Sequence, residues 1–253
     1  LVVRFDNRDV GLSDGPDHLG MPGMAGAMLR YTLHLPVPSP YRLRDMADDA
    51  VGVLDALGIP AAHVCGASMG GMIAQQMAVQ HPQRVKSLTL VMTTSGARHL
   101  PQPRLRVRQA LLSRPRSAAV ADVVAHLEGV VHTIGSPGYR PDPAQLRSRL
   151  EAAVRRAYRP AGTARQLLAI VADGDRTPLL ARIRQPVRVV HGADDPLVPP
   201  AAGQHLAAHI AGATLDLVPG MGHDLPLALL PRLADNITQA AAECPGIEVL
   251  VDR

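Results

Sequence analysis

The 253-residue chain has no tryptophan, one phenylalanine, four tyrosines, two cysteines and a single lysine, Lys86. With so few aromatic rings, a core drawn from the 47% apolar residues must be filled by Ala, Val, Leu, Ile and Met. The same scarcity argues against nucleic acid as a partner, because no stacking rings are interleaved with the basic residues. Cys65 and Cys244 lie far apart and form no disulfide framework, so a reducing, cytoplasmic setting is expected. No stretch reaches the roughly 18 uncharged apolar residues of a membrane-spanning helix, and no membrane partner is expected. Arg4 and Asp6 interrupt the first apolar run, which does not read as a signal peptide. The histidines form no His-x-x-x-His pattern with an enclosed Glu, so neither a metal nor a cofactor is expected.

Charge is unevenly placed. The formal net charge is +4, yet residues 97–185 carry 16 Arg against 6 Asp and Glu, while the rest of the chain has 10 basic against 16 acidic residues. The plain reading of the basic segment is a solvated helical surface. The functional one is a mildly cationic lid that favours acidic or polar substrates.

Read in order, Leu1-Val2-Val3-Arg4-Phe5-Asp6 has the short, β-branched pattern of a buried parallel strand. Residues 14–40 are rich in Gly and Pro and read as a long connection. Ser39-Pro40 has the form of an N-cap followed by Pro at N1, and Leu43, Met46, Ala47, Ala50, Leu54 and Leu57 then mark one helical face. Gly58 and Pro60 end that helix. Strands are predicted at 61–66, 85–92, 187–191 and 213–218, and helices at 69–80, 199–209 and 226–242. Residues 97–185 contain no convincing strand and read as four amphipathic helices, near 104–113, 117–131, 143–157 and 161–172. The expected organisation is an α/β core over 1–96 and 186–253, interrupted by a helical cap at 97–185. Such an insertion belongs over the C-terminal edge of a mostly parallel sheet, where open α/β folds bind ligands.

The densest signal is Ala62-His63-Val64-Cys65-Gly66-Ala67-Ser68-Met69-Gly70-Gly71. A strand pattern meets Gly-x-Ser-x-Gly, and a helical pattern follows at once, as in a nucleophile elbow. Small residues two before and two after Ser68 are expected to let the chain turn tightly. The Met69 amide then lies at a helix N-terminus, facing the serine's space. The plainer alternative is a Gly-rich turn with Ser68 as an N-cap. A serine hydroxyl needs a base, and the base an orienting acid. Asp194 and Asp195 follow the 187–191 strand. Asp195 is the preferred acid, and the alternative is that the pair caps the helix starting near Pro199. His223, in Pro219-Gly220-Met221-Gly222-His223, follows the last strand on a Gly-flanked loop and is the candidate base. His191 sits on its strand and is expected to be a packed core residue.

In these loops Ser68, Asp195 and His223 resemble the α/β-hydrolase superfamily, whose triad runs in that chain order. Arg4 to Ser13, Gly66 to Gly71, Pro219 to His223 and Gly174-Asp175-Arg176-Thr177 narrow the resemblance to actinobacterial hydrolases of the aclacinomycin methylesterase type. The resemblance implies Ser68 as nucleophile, His223 as general base and then acid, Asp195 as its orienter, and the Met69 N–H as one oxyanion donor. It implies a small-molecule carboxylic ester as substrate. The family's second oxyanion donor comes from a His-Gly loop that would precede Leu1. These 253 residues alone are therefore expected to be poorly stable and nearly inactive. Lactone or thioester hydrolysis and cofactor-free perhydrolysis use the same triad. A rival of another class is a non-catalytic binding domain on a hydrolase scaffold.

Overall fold

The computed structural model describes residues 1–244; the end of the expected second core segment, 245–253, lies outside the described residues. Four strands form one sheet in the order β1 (Ala62–Ala67), β2 (Val85–Val91), β3 (Val187–Gly192), β4 (Thr214–Val218), every pair parallel. The two central strands are buried along nearly their whole length, Ser87, Thr89 and His191 included. In β2, Leu88 and Leu90 point to one face and Val91 to the other, as the two-residue period requires.

The face receiving Leu88 and Leu90 is covered by three helices. The apolar face of α2 (Leu43–Ala56) supplies Leu43, Met46, Ala47, Val51 and Leu54. Beside it lie α3 (Met69–Gln80) and α9 (Ala201–His209). The methionines of α3, Met72 and Met77, are core packing. On the other face α10 (Leu230–Ala242) follows a 3-10 turn, and Leu233 packs near Val91, Val190, Val218 and Met221. The chain between β2 and β3 is helical: α4 (Leu105–Leu112), α5 (Val120–Ile134), α6 (Pro143–Arg156), α7 (Pro160–Asp173) and the short α8 (Thr177–Leu180).

Three local expectations are corrected. Residues 1–6 form no strand. They have no ladder partner, and Val2 is 85% exposed. An extended segment without backbone pairing or a buried face gains nothing from being a strand, whatever its propensity. Polar side chains anchor it instead: Asp6 bonds Arg156, and Arg8 bonds Asp49. Second, the 14–40 connection contains a 3-10 turn at Asp17–Leu19 and a helix, α1 (Met24–Thr32). That helix packs a short stripe, Met24, Ala27 and Tyr31, against Leu168 of α7, and only Ala27 is fully buried. Third, Ser39 does not cap α2. Its hydroxyl donates to Tyr41 O, and the cap is the Asp45 carboxylate, which accepts the Arg42 amide at 2.7 Å.

Candidate active site

The elbow turns at Ser68, which joins β1 to α3 with φ 51° and ψ −117°. That left-handed φ is strained for a residue with a Cβ. The surroundings hold it there. Ser68 N donates to Val91 O at 2.9 Å, and Thr93 Oγ1 donates to Ser68 O at 2.7 Å. The glycines that permit the turn are Gly66 and Gly71. A Cβ on Gly66 would lie 2.3 Å from Gly70 O, and one on Gly71 would lie 2.6 Å from the Thr93 side chain. Gly70, two residues after the serine, has open space around it, so smallness there is not what the turn requires. Met69 is the first residue of α3, and its amide has no acceptor within the helix.

The loops after β3 and β4 bring the other two residues to the serine. Asp195 is buried, at 4% exposure. Its Oδ1 accepts the Leu197 and Val198 amides at 2.9 and 2.8 Å, and its Oδ2 accepts His223 Nδ1–H at 2.7 Å. A carboxylate can only accept, so Nδ1 carries the proton and Nε2 is left to accept. Ser68 Oγ lies 2.9 Å from that Nε2. The three side chains thus form one directed chain of hydrogen bonds at the C-terminal edge of the sheet.

Neither member of the Asp pair caps α9, whose N-cap Pro200 receives no side-chain bond. Asp194 instead accepts the Gly220 amide at 2.8 Å, tying the acid's loop to the histidine's loop. His191 is fully buried, and its Nε2–H donates to Val198 O at 2.8 Å. Burial holds its imidazole below the ordinary range, so it is neutral. It steadies the stretch whose amides grip Asp195.

Several supporting residues carried no local signal. Arg176 is 2% exposed and closes the helical insertion. It bonds Asp173 at 2.7 Å and Thr94 O at 2.9 Å, while its own amide donates to Ser95 O. It therefore ties the insertion's exit to its entrance beside β2. Its place in Gly174-Asp175-Arg176-Thr177 was the one available clue. Arg165 on α7 is also buried and holds Asp9 through two bonds of 2.8 and 2.6 Å. Ser136, after α5, touches the residues on either side of His223.

A groove of about 730 Å³ opens beside the His223 loop, between α5, α6 and residues 224–228. Its walls include Val131, Leu146, Leu225 and Leu227 together with Arg140, Arg149, Asp142 and Asp224. That volume is within the ~300–1,000 Å³ of small-molecule sites. Among the described residues, no cluster of three or more His, Cys, Asp or Glu is arranged to hold a metal, and no helix is long and apolar enough to cross a membrane.

Residues 1–227 match the model of the alpha/beta hydrolase fold family. The chain is 29% identical to rhodomycin D methylesterase of Streptomyces sp. strain C5, over 94% of this chain and 80% of that protein. It is 33% identical to the pimeloyl-(acyl-carrier protein) methyl ester esterase of Chromobacterium violaceum, over 69% of this chain and 68% of that one. A solved esterase from Exiguobacterium antarcticum superposes with a TM-score of 0.65, covering 94% of this chain and 78% of its own at 19% identity, a likeness of fold. The chain belongs to the α/β-hydrolase fold family. Within that family it stands among the carboxylic ester hydrolases.

Proposed function

We propose that the protein hydrolyses a carboxylic ester of a small molecule through an acyl-enzyme, with Ser68 as nucleophile, His223 as general base and then acid, and Asp195 as its orienter. The observation that carries this reading is the directed pair of hydrogen bonds from Asp195 through His223 to Ser68, at 2.7 and 2.9 Å. In the first step His223 Nε2 takes the hydroxyl proton as Ser68 Oγ bonds the ester carbon. The carbonyl oxygen gains negative charge, and the Met69 amide at the start of α3 is the donor best aimed to stabilise it. Collapse breaks the carbon–alkoxy bond, and His223 returns its proton to the departing alcohol. Water then repeats the sequence, releasing the acid and freeing Ser68. Asp195 stays ionised and stabilises the imidazolium formed in each half.

Residues 97–185 are assigned as a cap over the site. The groove between α5, α6 and residues 224–228 would take the substrate's hydrocarbon body, and Arg140 and Arg149 in its lining suit a polar or acidic end. That two relatives are named for methyl esters supports a small alcohol as leaving group.

The direct test is labelling with a serine-directed fluorophosphonate, followed by mass spectrometry of the modified peptide. Labelling on Ser68 that Ser68→Ala abolishes is the expected result. A folded protein that takes no label would leave the binding-domain alternative.

A further inference from the structure

The helical insertion and the His223 loop meet backbone to backbone. Gly138 N donates to Gly220 O at 2.9 Å, and His223 N donates to Ile134 O at 2.7 Å. At two glycines no Cβ would fit. A Cβ on Gly222 would lie 2.5 Å from the Gly135 carbonyl group, and one on Gly138 would lie 2.9 Å from Gly220 Cα. At the centre of this seam is Ser136, 3% exposed. Its hydroxyl accepts the Gly222 amide at 2.8 Å and donates to the Asp224 carboxylate. Its own amide donates to the same carboxylate oxygen at 2.9 Å.

One serine of the insertion therefore holds both chain neighbours of His223, while the carbonyl two residues before it holds His223's own amide. Asp195 and Ser68 fix the ring; these contacts fix the backbone from which the ring projects. We propose that Ser136 is a positioning residue for His223. The insertion is then more than a cover, because its 134–138 loop is part of what aims the base at Ser68. The Ser136 hydrogen bonds go to Asp224 and Gly222, so it acts through the His223 backbone. The inference rests on the reading of His223 as the base. Misplacing a reacting group by about 1 Å costs on the order of 10²-fold in rate, and loss of both hydroxyl bonds frees the loop to shift by that much.

The test uses the full chain, with Ser136→Ala, Ser136→Thr and, as a control, Ser117→Ala at an exposed hydroxyl elsewhere in the insertion. Two readouts are taken: the second-order rate of fluorophosphonate labelling, and the far-downfield proton resonance of the His223 Nδ1–H bonded to Asp195. Ser136→Ala is expected to slow labelling by about 10²-fold and to broaden the resonance, at an unchanged far-UV spectrum. Ser136→Thr, which keeps the hydroxyl, is expected to recover most of the rate, and Ser117→Ala to match the parent. Parental labelling and a parental resonance in Ser136→Ala would overturn the inference. If the parent takes no label, the hydrolase reading fails, and the resonance still decides whether Ser136 holds the histidine. Should Ser136→Ala not fold, Asp224→Ala, which removes the acceptor shared by the Ser136 amide and hydroxyl, carries the same test, with slowed labelling expected and a parental rate overturning it.

Discussion

The sheet and the seam between the insertion and the N-terminal loops are both buried, but they are held by different forces. Around β2 and β3 the large buried groups are Leu88, Leu90, Val189 and Val190, with Ser87, Thr89 and His191 buried among them, and at the aliphatic positions any aliphatic side chain of the right volume would serve. Along the insertion charged groups are buried almost as deeply as apolar ones such as Val123 and Leu180. Arg165 and Asp9 are 1% and 0% exposed, and Arg176 is 2% exposed. Burying an ion pair gains little over an apolar contact, whereas breaking one strands a charge. The sheet is thus tolerant in chemistry and strict in volume. The seam is tolerant of little, since each arginine has one geometry that satisfies it. Gly162 shows how close that fit is, because a Cβ there would fall 1.9 Å from Asp9 O.

The largest expected effect separates chemistry from both kinds of packing. Asp195→Asn keeps the acceptor for the Leu197 and Val198 amides but favours the wrong His223 tautomer. Hydrolysis of an activated ester should fall by about 10⁴-fold with little change in the urea midpoint; an equal fall in both would mean that Asp195 is structural.

Next comes the seam. Arg165→Met leaves the Asp9 carboxylate buried without its cation and should cost about 3–5 kcal/mol in urea unfolding. Adding Asp9→Asn, which tolerates the φ of 75° at that position, should recover most of it. If the double variant is no better than the single, the seam is a packing contact like the sheet. The same contact has a pH signature. Burial opposes charge at Asp9, but the Arg165 bonds, with one from Tyr41, hold its carboxyl below the ordinary range. A depressed folded-state pKa stabilises above the unfolded value of about 3.9 and loses that stabilisation as pH falls further. The gap between parent and Arg165→Met should therefore narrow below roughly pH 4.

In the sheet, Leu88→Ala should cost about 2–5 kcal/mol, while Leu88→Met should cost less than about 1.5 kcal/mol. Calorimetry of the two reads volume against chemistry directly. The smallest effect is expected at the insertion's surface. Removing the exposed Arg147–Glu128 pair by Arg147→Ala should leave the urea midpoint nearly unchanged. A larger loss would show that surface arginines, and not only the buried ones, hold the insertion together.

The same contrast explains what could be read from the residues. Ser68, Asp195 and His223 stood out because each follows a strand pattern directly, and strand, turn and glycine signals are local. Asp195 was separable from Asp194 only by preference. The partition came from a contact twenty-six residues away, Asp194 to the Gly220 amide. Arg165 was one among the 16 arginines of an Arg-rich segment, with nothing nearby to distinguish it from solvated ones, and Arg176 was marked only by its Gly174-Asp175-Arg176-Thr177 motif. Ser136 was equally silent, its partners being 86 and 88 residues away. Residues 1–6 misled because strand propensity was present while a strand partner was not.

By itself the sequence determined the alternation of strands and helices, the parallel α/β class, the helical character of 97–185, and the three residues that stand at the sheet's edge. Those follow from short-range periodicity, turn chemistry and chain order. Only the tertiary structure decided which arginines are buried, which glycine clears the elbow, which aspartate meets the histidine, and that the insertion grips the His223 loop. Each of these depends on distance between segments remote in sequence, and close approach in space leaves no mark on the order of residues along a chain.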